Sequence, residues 1–238
     1  MAHLPIDALE RRSAQCQAGF LLPSLKSGMS VLDCGCGPGS ITFDLARHVA
    51  PGVVIGIDAE PAQIERAIQR AERPDNATFQ TASVYDLPFE TGRFGVVFAH
   101  ALFQHLRDPS QAISEMHRVL APGGIIALRS PDWGAIIIMP PTPALMSAFK
   151  MFIDVYYENG TPLAGRDGPS LLRSAGCQDV TFTATVEHEN PANLGQFAAA
   201  KLIAPEQEEG AACLRAWAAN PDALFAQMWG ETVARRSE

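Results

Sequence analysis

A glycine-rich turn between an apolar segment and an amphipathic one is the first feature of this sequence that is typical of ligand binding. The turn reads Asp33-Cys34-Gly35-Cys36-Gly37-Pro38-Gly39 and links a predicted strand at residues 30–34 to a predicted helix. Glycine has no Cβ, so the backbone of such a turn can approach a ligand closely, and the helix that follows offers unpaired N–H donors. We therefore expect a nucleotide-like cofactor at this turn.

An acidic residue, Asp58, ends the second predicted strand, about 20 residues after the turn. From this position a carboxylate accepts hydrogen bonds from both hydroxyls of a ribose. The glycines at 35, 37 and 39 depart from the dinucleotide fingerprint, whose third glycine would fall at Ser40. The carboxylate of Asp33 attracts a cation and repels a pyrophosphate. The pattern thus favours S-adenosylmethionine, which carries an ammonium and a sulfonium group, over NAD.

Short apolar runs alternate with amphipathic stretches between residues 30 and 129, a pattern typical of a parallel sheet with helical connections. We predict five parallel strands, at 30–34, 53–58, 78–81, 94–100 and 125–129. The alternation of Val180, Phe182, Ala184 and Val186 predicts a sixth strand, whereas residues 223–229 fit a seventh strand or a last helix.

Helices are predicted on both sides of these strands. One or two are expected at residues 4–25, one that carries Tyr156 and Tyr157 follows the prolines at 140, 141 and 143, a short one ends at Gly176, and residues 191–219 have a helical pattern. We expect one domain over residues 1–238, with N-terminal helices at 1–27, a cofactor-binding core at 28–130, and a substrate cap with the C-terminal strands and helices at 131–238. The expected fold is α/β, a doubly wound, mostly parallel seven-stranded sheet with helices on both faces and a small helical cap over its C-terminal edge.

Composition limits the classes of function. Hydrophobic residues make up 47% of the chain and charged residues 18%, which is a globular composition, and a net charge of −8 disfavours nucleic acid as a partner. The apolar stretch at 134–141 is too short to span a membrane, and Asp7 and Glu10 stand where a signal peptide would be basic, so we expect a cytoplasmic protein. Cys34 and Cys36 do not form a Cys-x-x-Cys motif, and no carboxylate cluster indicates a metal. A monomer or a homodimer is expected.

Four segments, in order and at the right spacing, resemble class I S-adenosylmethionine-dependent methyltransferases, whose fold is Rossmann-like. Residues 31–39 resemble the first motif of that family, and Gly56-Ile57-Asp58 its ribose-binding strand end. Asp86-Leu87-Pro88-Phe89 resembles the stretch after the adenine contact, and residues 118–124 the turn before the fifth strand. The sequence is most similar to the ubiquinone/menaquinone-type branch, often called type 11, and the resemblance covers about residues 20–130.

The resemblance implies roles for individual residues. Gly35, Gly37 and Gly39 would pack against the methionine part of the cofactor, Asp33 would hold its amino end, and Asp58 would bind the ribose. Ser83 and Val84 stand at the adenine contact, where the family usually has Asp at 83; Gly95 also replaces a usual Asp. The full cofactor set expected is Asp33, Gly35, Cys36, Gly37, Gly39, Asp58, Ala59, Ser83, Val84, His100 and His105.

Candidate catalytic residues follow the fourth and fifth strands, where a parallel sheet presents ligands. Histidine as a residue type titrates near neutrality, so His100 and His105 are candidate bases, and Asp132 is a candidate for orienting a substrate donor. The alternative for each histidine is a hydrogen bond to backbone. The expected substrate-binding residues are Gln104, Trp133, Tyr156 and Tyr157, where only one of the adjacent tyrosines is expected to face the pocket and Trp133 has core packing as its alternative.

These features predict the transfer of a methyl group from S-adenosylmethionine to a small, partly hydrophobic organic molecule by direct in-line displacement. Two alternatives stay open: a cofactor-binding protein without transferase activity, and a nicotinamide-dependent oxidoreductase. A nucleic-acid methyltransferase is disfavoured, because His100-Ala101-Leu102-Phe103 stands where an Asn/Asp-Pro-Pro-Tyr segment would be expected.

Overall fold

A seven-stranded sheet forms the centre of the protein. The computed structural model describes residues 9–238. The strand order is β3-β2-β1-β4-β5-β7-β6; β1 to β5 are parallel, and β7 runs antiparallel to both of its neighbours. The strands are β1 (Val31–Cys34), β2 (Val54–Asp58), β3 (Ala77–Thr81), β4 (Phe94–His100), β5 (Leu120–Met139), β6 (Gln178–Glu189) and β7 (Leu224–Arg235).

Helices cover both faces of the sheet and one of its edges. They are α1 (Ala14–Gln17), α2 (Ser40–Val49), α3 (Pro61–Gln69), α4 (Pro109–Val119), α5 (Pro143–Tyr156), α6 (Ala164–Ser174), α7 (Pro191–Ala199) and α8 (Glu208–Ala218). Several begin with the signals that favour a helix start: Asp108 and Thr142 each accept a backbone N–H bond as the N-cap, and proline follows each of them. None of the helices between residues 9 and 238 is long and apolar enough to cross a membrane.

The predicted fold class is confirmed, and the differences lie at the ends of elements. Residues 224–229 belong to strand β7, and the helical segment at 191–219 forms the two helices α7 and α8. Of the helical segment predicted at residues 4–25, residues 4–8 lie outside the described part, and the rest forms α1 and a 3₁₀ turn. Helix α4 ends at Val119 because Leu120 already pairs with Phe94 in the sheet.

The fifth strand is much longer than the prediction of residues 125–129. It continues to Met139, because residues 136–139 pair with residues 224–227 of β7 after an irregularity beyond Asp132. Since β4 ends at His100, opposite Arg129, the ribbon of β5, β7 and β6 extends past the carboxyl ends of the parallel strands. This extension forms one wall above the edge of the sheet where ligands bind in such folds.

Three hydrophobic clusters hold these layers together. One packs α1 and α2 on one face of the sheet around Phe43 and Phe98, and a second packs α4 and α6 on the other face around Met116 and Leu172. The third, around Phe152, joins α5, α7 and α8 to the extended strands. The cap thus has a core of its own beside the mouth of the sheet.

Candidate functional site

A cavity of about 1070 Å³ opens along the carboxyl edge of the sheet. Its cofactor end is lined by the glycine-rich turn and the tips of β2 and β3, namely Gly35, Gly37, Asp58, Ala59, Ser83 and Val84. Its other end, the aromatic chamber, is lined by His105, Trp133, Tyr156, Tyr157, Phe197, Phe225, Gln227 and Trp229. His100 and Gln104 also line this cavity. One continuous cavity therefore has a polar end at the glycine-rich turn and an aromatic end.

The three glycines of the turn differ in what they do. All three have positive φ angles, of 75° at Gly35, 53° at Gly37 and 81° at Gly39, which other residues rarely adopt. A Cβ on Gly37 would have no atom within 4 Å, so this side of the turn is open for a ligand. A Cβ on Gly39 would lie 2.9 Å from the Phe79 ring, and Gly39 is absent from the cavity lining. The prediction that Gly39 packs against the methionine part does not fit; this glycine allows β3 to pack against the turn.

Asp58 ties the turn to the end of β2. Its Oδ2 accepts a bond from the Gly37 N–H at 2.9 Å, and its Oδ1 accepts one from the Glu60 N–H at 3.0 Å. A carboxylate oxygen has a second lone pair, so both oxygens can also accept a ribose hydroxyl. The residue fits the role that the resemblance implies, at the position where Ala59 also lines the cavity.

Asp33 is almost fully buried beneath the turn. Burial raises the pKa of its carboxyl to about 7; the bond from Thr42 Oγ1, at 2.6 Å, opposes this shift, whereas the charge of Asp58 adds to it. A cationic group beside this carboxyl would stabilise its ionised form. The site therefore fits the α-ammonium of a cofactor that carries an amino acid.

Cys36 and Ser83 are two further residues of the expected cofactor-binding set. Cys36 lines a narrow side pocket of the cavity, and burial raises the pKa of its thiol, which fits a protonated packing residue. Ser83 is exposed, and its Oγ accepts a bond from the Tyr85 N–H at 3.2 Å. Val84 is buried beside it. A serine hydroxyl still offers an acceptor where the family usually has a carboxylate.

Arg129 lies at the centre of a buried ionic cluster that the sequence analysis did not identify. Its side chain is 1% exposed; Nε donates to Glu231 Oε1 at 3.0 Å, and Nη2 donates to Glu187. Its Nη1 lies 3.1 Å from Nε2 of His100, and its guanidinium stacks over the ring of Trp229 at 4.5 Å. The residues come from β4, β5, β6 and β7, so the sheet alone brings them together.

This cluster decides the protonation of His100. A guanidinium only donates hydrogen bonds, so Nε2 of His100 accepts, and the neutral ring carries its proton on Nδ1. Burial lowers the pKa of His100 well below its usual value, and the charges of Arg12 and Arg129 lower it further. A base at this position would have to become an imidazolium beside two arginines. The prediction that His100 is a general base therefore does not fit, and the ring acts as a donor through Nδ1.

Both tyrosines face the aromatic chamber, contrary to the expectation that only one does. Helix α5 ends at Tyr156, and Tyr157 leaves the helical conformation with φ −111° and ψ 27°. The hydroxyl of Tyr157 accepts a bond from Trp133 Nε1 at 2.8 Å, and its ring stacks with His105 at 5.5 Å. The Tyr156 ring meets His105 edge-on at 5.8 Å. Aromatic contacts thus hold these side chains around one space.

Asp132 points away from the cavity. It is fully buried, does not line the cavity, and pairs through both carboxylate oxygens with Arg166, at 2.5 and 2.8 Å. Its Oδ1 also accepts a bond from the Gly134 N–H at 2.8 Å. The predicted role of orienting a substrate donor does not fit this arrangement, which ties α6 to β5. Among residues 9–238, no group of three or more His, Cys, Asp and Glu side chains is placed to hold a metal ion.

Sequence reasoning missed several lining residues, among them Arg12, Phe197, Phe225 and Gln227. The last two alternate with Trp229 on β7, a period-two signal that residues 223–229 carry. Trp229 itself also lines the cavity. Arg12 has no comparable signal, because only the fold brings the N-terminal segment over the site.

Several known proteins similar to this chain are named methyltransferases. The profile of a methyltransferase domain family matches residues 25–160. An uncharacterised methyltransferase of Synechocystis is 35% identical over 172 residues, which cover 69% of this chain and 72% of that protein. The demethylmenaquinone methyltransferase of Lactococcus lactis is 31% identical over 59% of this chain and 53% of its own length.

A solved structure has the same fold over nearly the whole chain. The crystal structure of a putative methyltransferase from Bacillus halodurans covers 92% of this chain and 97% of its own, with a TM-score of 0.68 at 17% identity. The chain spans about half the length of several curated relatives that it matches, 44% to 53%. The family profile covers more than half of this chain, and its span contains the glycine-rich turn, Asp58 and His100. The chain therefore belongs to the methyltransferase domain family.

Proposed function

We propose that the protein transfers a methyl group from S-adenosylmethionine to a small, partly hydrophobic organic acceptor. The observation that carries this proposal is the continuity of the cavity: the glycine-rich turn and Asp58 form one end, and the aromatic chamber forms the other. The volume of about 1070 Å³ is slightly above the range of about 300–1,000 Å³ that is typical of a single small-molecule site, and it leaves room for two ligands. The net charge of −8 supports a small-molecule acceptor over nucleic acid.

The chain's own residues would hold the two ligands and exclude water. Bound S-adenosylmethionine supplies an electrophilic methyl group on a sulfonium, so the task left to the protein is alignment of the acceptor in line with the C–S bond. Trp133, Tyr156 and Trp229 offer flat apolar walls for that acceptor. Among the described residues, Gln104 Oε1 and Gln227 Nε2 are buried without a partner, which supplies one acceptor and one donor to orient it.

His100 would act by hydrogen-bond donation and not by proton removal. The name of the Lactococcus relative, a demethylmenaquinone methyltransferase, supports an acceptor of small-molecule size. His105, stacked among the two tyrosines, would position the acceptor at the junction of the two ends.

Calorimetry with S-adenosylhomocysteine, the by-product of methyl transfer, tests the cofactor part of this proposal. The protein should bind S-adenosylhomocysteine in preference to NAD. Asp58→Ala should weaken binding by about a hundredfold or more, since each hydrogen bond to a charged acceptor contributes about 1.5–3 kcal/mol. Glu65→Ala, an exposed carboxylate on the neighbouring helix, is the control and should bind normally. Tight NAD binding without a response to S-adenosylhomocysteine would contradict the proposal.

A further inference from the structure

Arg12 covers the cofactor end of the cavity from the N-terminal side. It precedes α1, and its side chain lines both the main cavity and the narrow side pocket beneath the turn. The same side pocket is lined by Asp33, Gly35 and His100. Within residues 9–238 no hydrogen bond or ion pair engages the guanidinium of Arg12. A cation that is half-buried and makes no such contact is available to a ligand.

His100 presents a second donor in the same corner. Its side chain is 5% exposed, and its Nδ1, which carries the proton of the neutral ring, is buried without a partner among the described residues. Leaving a buried donor unsatisfied costs about 1–3 kcal/mol, so a site of this kind favours a ligand that accepts a bond. The Arg129 cluster fixes the ring and prevents the opposite tautomer.

The other charges that face Arg12 leave its own charge in place. Glu187 is bound to Arg129, and so is Glu231. Burial has the largest effect on the pKa of Arg12 and lowers it. The charge of Glu189 raises this pKa and the charge of Arg129 lowers it, and the net result is a pKa of about 10. Arg12 is therefore still protonated at neutral pH, and Asp33 lines the same side pocket.

An α-amino acid carries a carboxylate and an ammonium on one carbon, so it matches a corner that is lined by a cation, an N–H donor and a carboxyl. We propose that Arg12 and the Nδ1–H of His100 bind the α-carboxylate of the amino-acid end of the cofactor, while Asp33 faces its ammonium. This inference rests on the proposed function and makes the N-terminal segment a part of the cofactor site.

A thermodynamic cycle with two ligands tests it without turnover. S-adenosylhomocysteine is compared by calorimetry with its decarboxylated analogue, S-adenosyl-3-thiopropylamine, which keeps the adenosine, sulfur and amine. The unaltered protein should prefer S-adenosylhomocysteine by about 10- to 100-fold, the contribution of charge-assisted bonds. Arg12→Gln should reduce this preference to near unity through weaker binding of S-adenosylhomocysteine alone, and Arg12→Lys should retain part of it.

Matched variants complete the cycle. Arg66→Gln, which removes an exposed charge from α3, should leave the preference unchanged. His100→Leu should lower the preference, whereas His100→Asn, whose amide can donate a bond, should retain more of it. Equal weakening of both ligands in folded Arg12→Gln would show a structural role and overturn the proposal. An unchanged preference would also overturn it and would leave an acidic acceptor as the occupant of this corner. Failure of the unaltered protein to bind either ligand would overturn the proposed function as well.

Discussion

At the scale of single residues, neighbours decide the chemistry more than residue type does. A histidine at the tip of β4 is typical of a general base, yet Arg129 holds Nε2 of His100 as an acceptor and disfavours the charged ring. Asp132, a candidate for orienting the substrate, is bound by Arg166 instead. Asp33 differs from these two residues. The sequence predicted that it lies beside a cationic group, and burial raises the pKa of its carboxyl, so a cationic ligand would stabilise the ionised form.

The pH dependence of cofactor binding should reflect Asp33. Because its pKa in the folded protein is about 7, protonation competes with binding of an ammonium below that pH. The affinity for S-adenosylhomocysteine should rise by up to about tenfold per pH unit from pH 5 and level off above pH 7. Asp33→Asn, which can still accept a bond from Thr42, should bind weakly at pH 8 and lose this pH dependence. Calorimetry from pH 5 to 8 measures both proteins.

The same residue should affect stability in the ligand-free protein. Since the folded state raises the pKa of Asp33, its contribution to stability is present below the pKa of the unfolded chain, near 4, and is lost as the pH rises through 7. At pH 8, Asp33→Asn should therefore raise the melting temperature, on the order of 5–10 °C. Asp75→Asn, at an exposed carboxylate, is the control. Equal melting temperatures for Asp33→Asn and the unaltered protein at pH 8 would contradict the raised pKa of this buried carboxyl.

At the scale of elements, the length of β5 shapes the acceptor end. Its residues past Arg129 have no parallel partner and are held by β7, and helix α6 packs closely against both strands. A Cβ on Gly230 of β7 would lie 1.8 Å from the carbonyl oxygen of Gly165 in α6. A Cβ on Gly165 would lie 2.8 Å from the carbonyl oxygen of Ser130 in β5. The wall of the cavity thus depends on backbone contacts that only glycine permits.

Alanine at Gly230 should destabilise the protein strongly. The added methyl group meets backbone that cannot move without shifting α6, and overpacking of this kind costs about 1–3 kcal/mol or more. Gly95→Ala is the matched control in β4, because its nearest atom would be 3.6 Å away, an ordinary contact. Urea unfolding of the two variants measures the difference. If Gly230→Ala unfolds at the same urea concentration as Gly95→Ala, the close packing of α6 on β7 is wrong.

At the scale of the whole molecule, the cofactor end and the cap rest on different cores. The turn and Asp58 are supported by the two clusters on the faces of the sheet, whereas the aromatic chamber is supported by the third cluster. Phe152 lies at its centre, fully buried, with its ring against those of Trp133, Tyr156 and Phe197. A change in this third cluster should therefore affect binding of the acceptor more than binding of the cofactor.

Phe152→Ala should separate the two ends. Removal of a buried aromatic ring should lower the free energy of unfolding by about 3–5 kcal/mol. The affinity for S-adenosylhomocysteine should stay within about twofold of the unaltered value, because Phe152 belongs to the third cluster and not to the two that support the turn. Ile203→Ala, at a side chain that is 87% exposed, is the control and should change stability by less than about 0.5 kcal/mol. A parallel loss of cofactor affinity in Phe152→Ala would show that cap and sheet act as one unit.

The sequence by itself determined the α/β fold class and the position of the turn and Asp58 at one edge of the sheet. The turn at residues 33–39 and Asp58 could be identified because each sits at the carboxyl end of a strand, and parallel strands bring those ends to one edge. Local signals were sufficient there: glycines with positive φ, an apolar strand before them and a helix after them. The order of the strand and helix segments along the chain completed the prediction of the fold class.

The tertiary structure alone decided the acceptor end and the protonation of its residues. Strand β5 is long because β7 pairs with it from about 90 residues further along the chain, and no local pattern specifies such a partner. His100 became a donor through Arg129, Glu187 and Glu231, which come from three other strands. Arg12 reached the cofactor end from the N-terminal segment. A pKa and a tautomer depend on charges and burial within a few ångströms, and those neighbours are set by the fold and not by distance along the sequence.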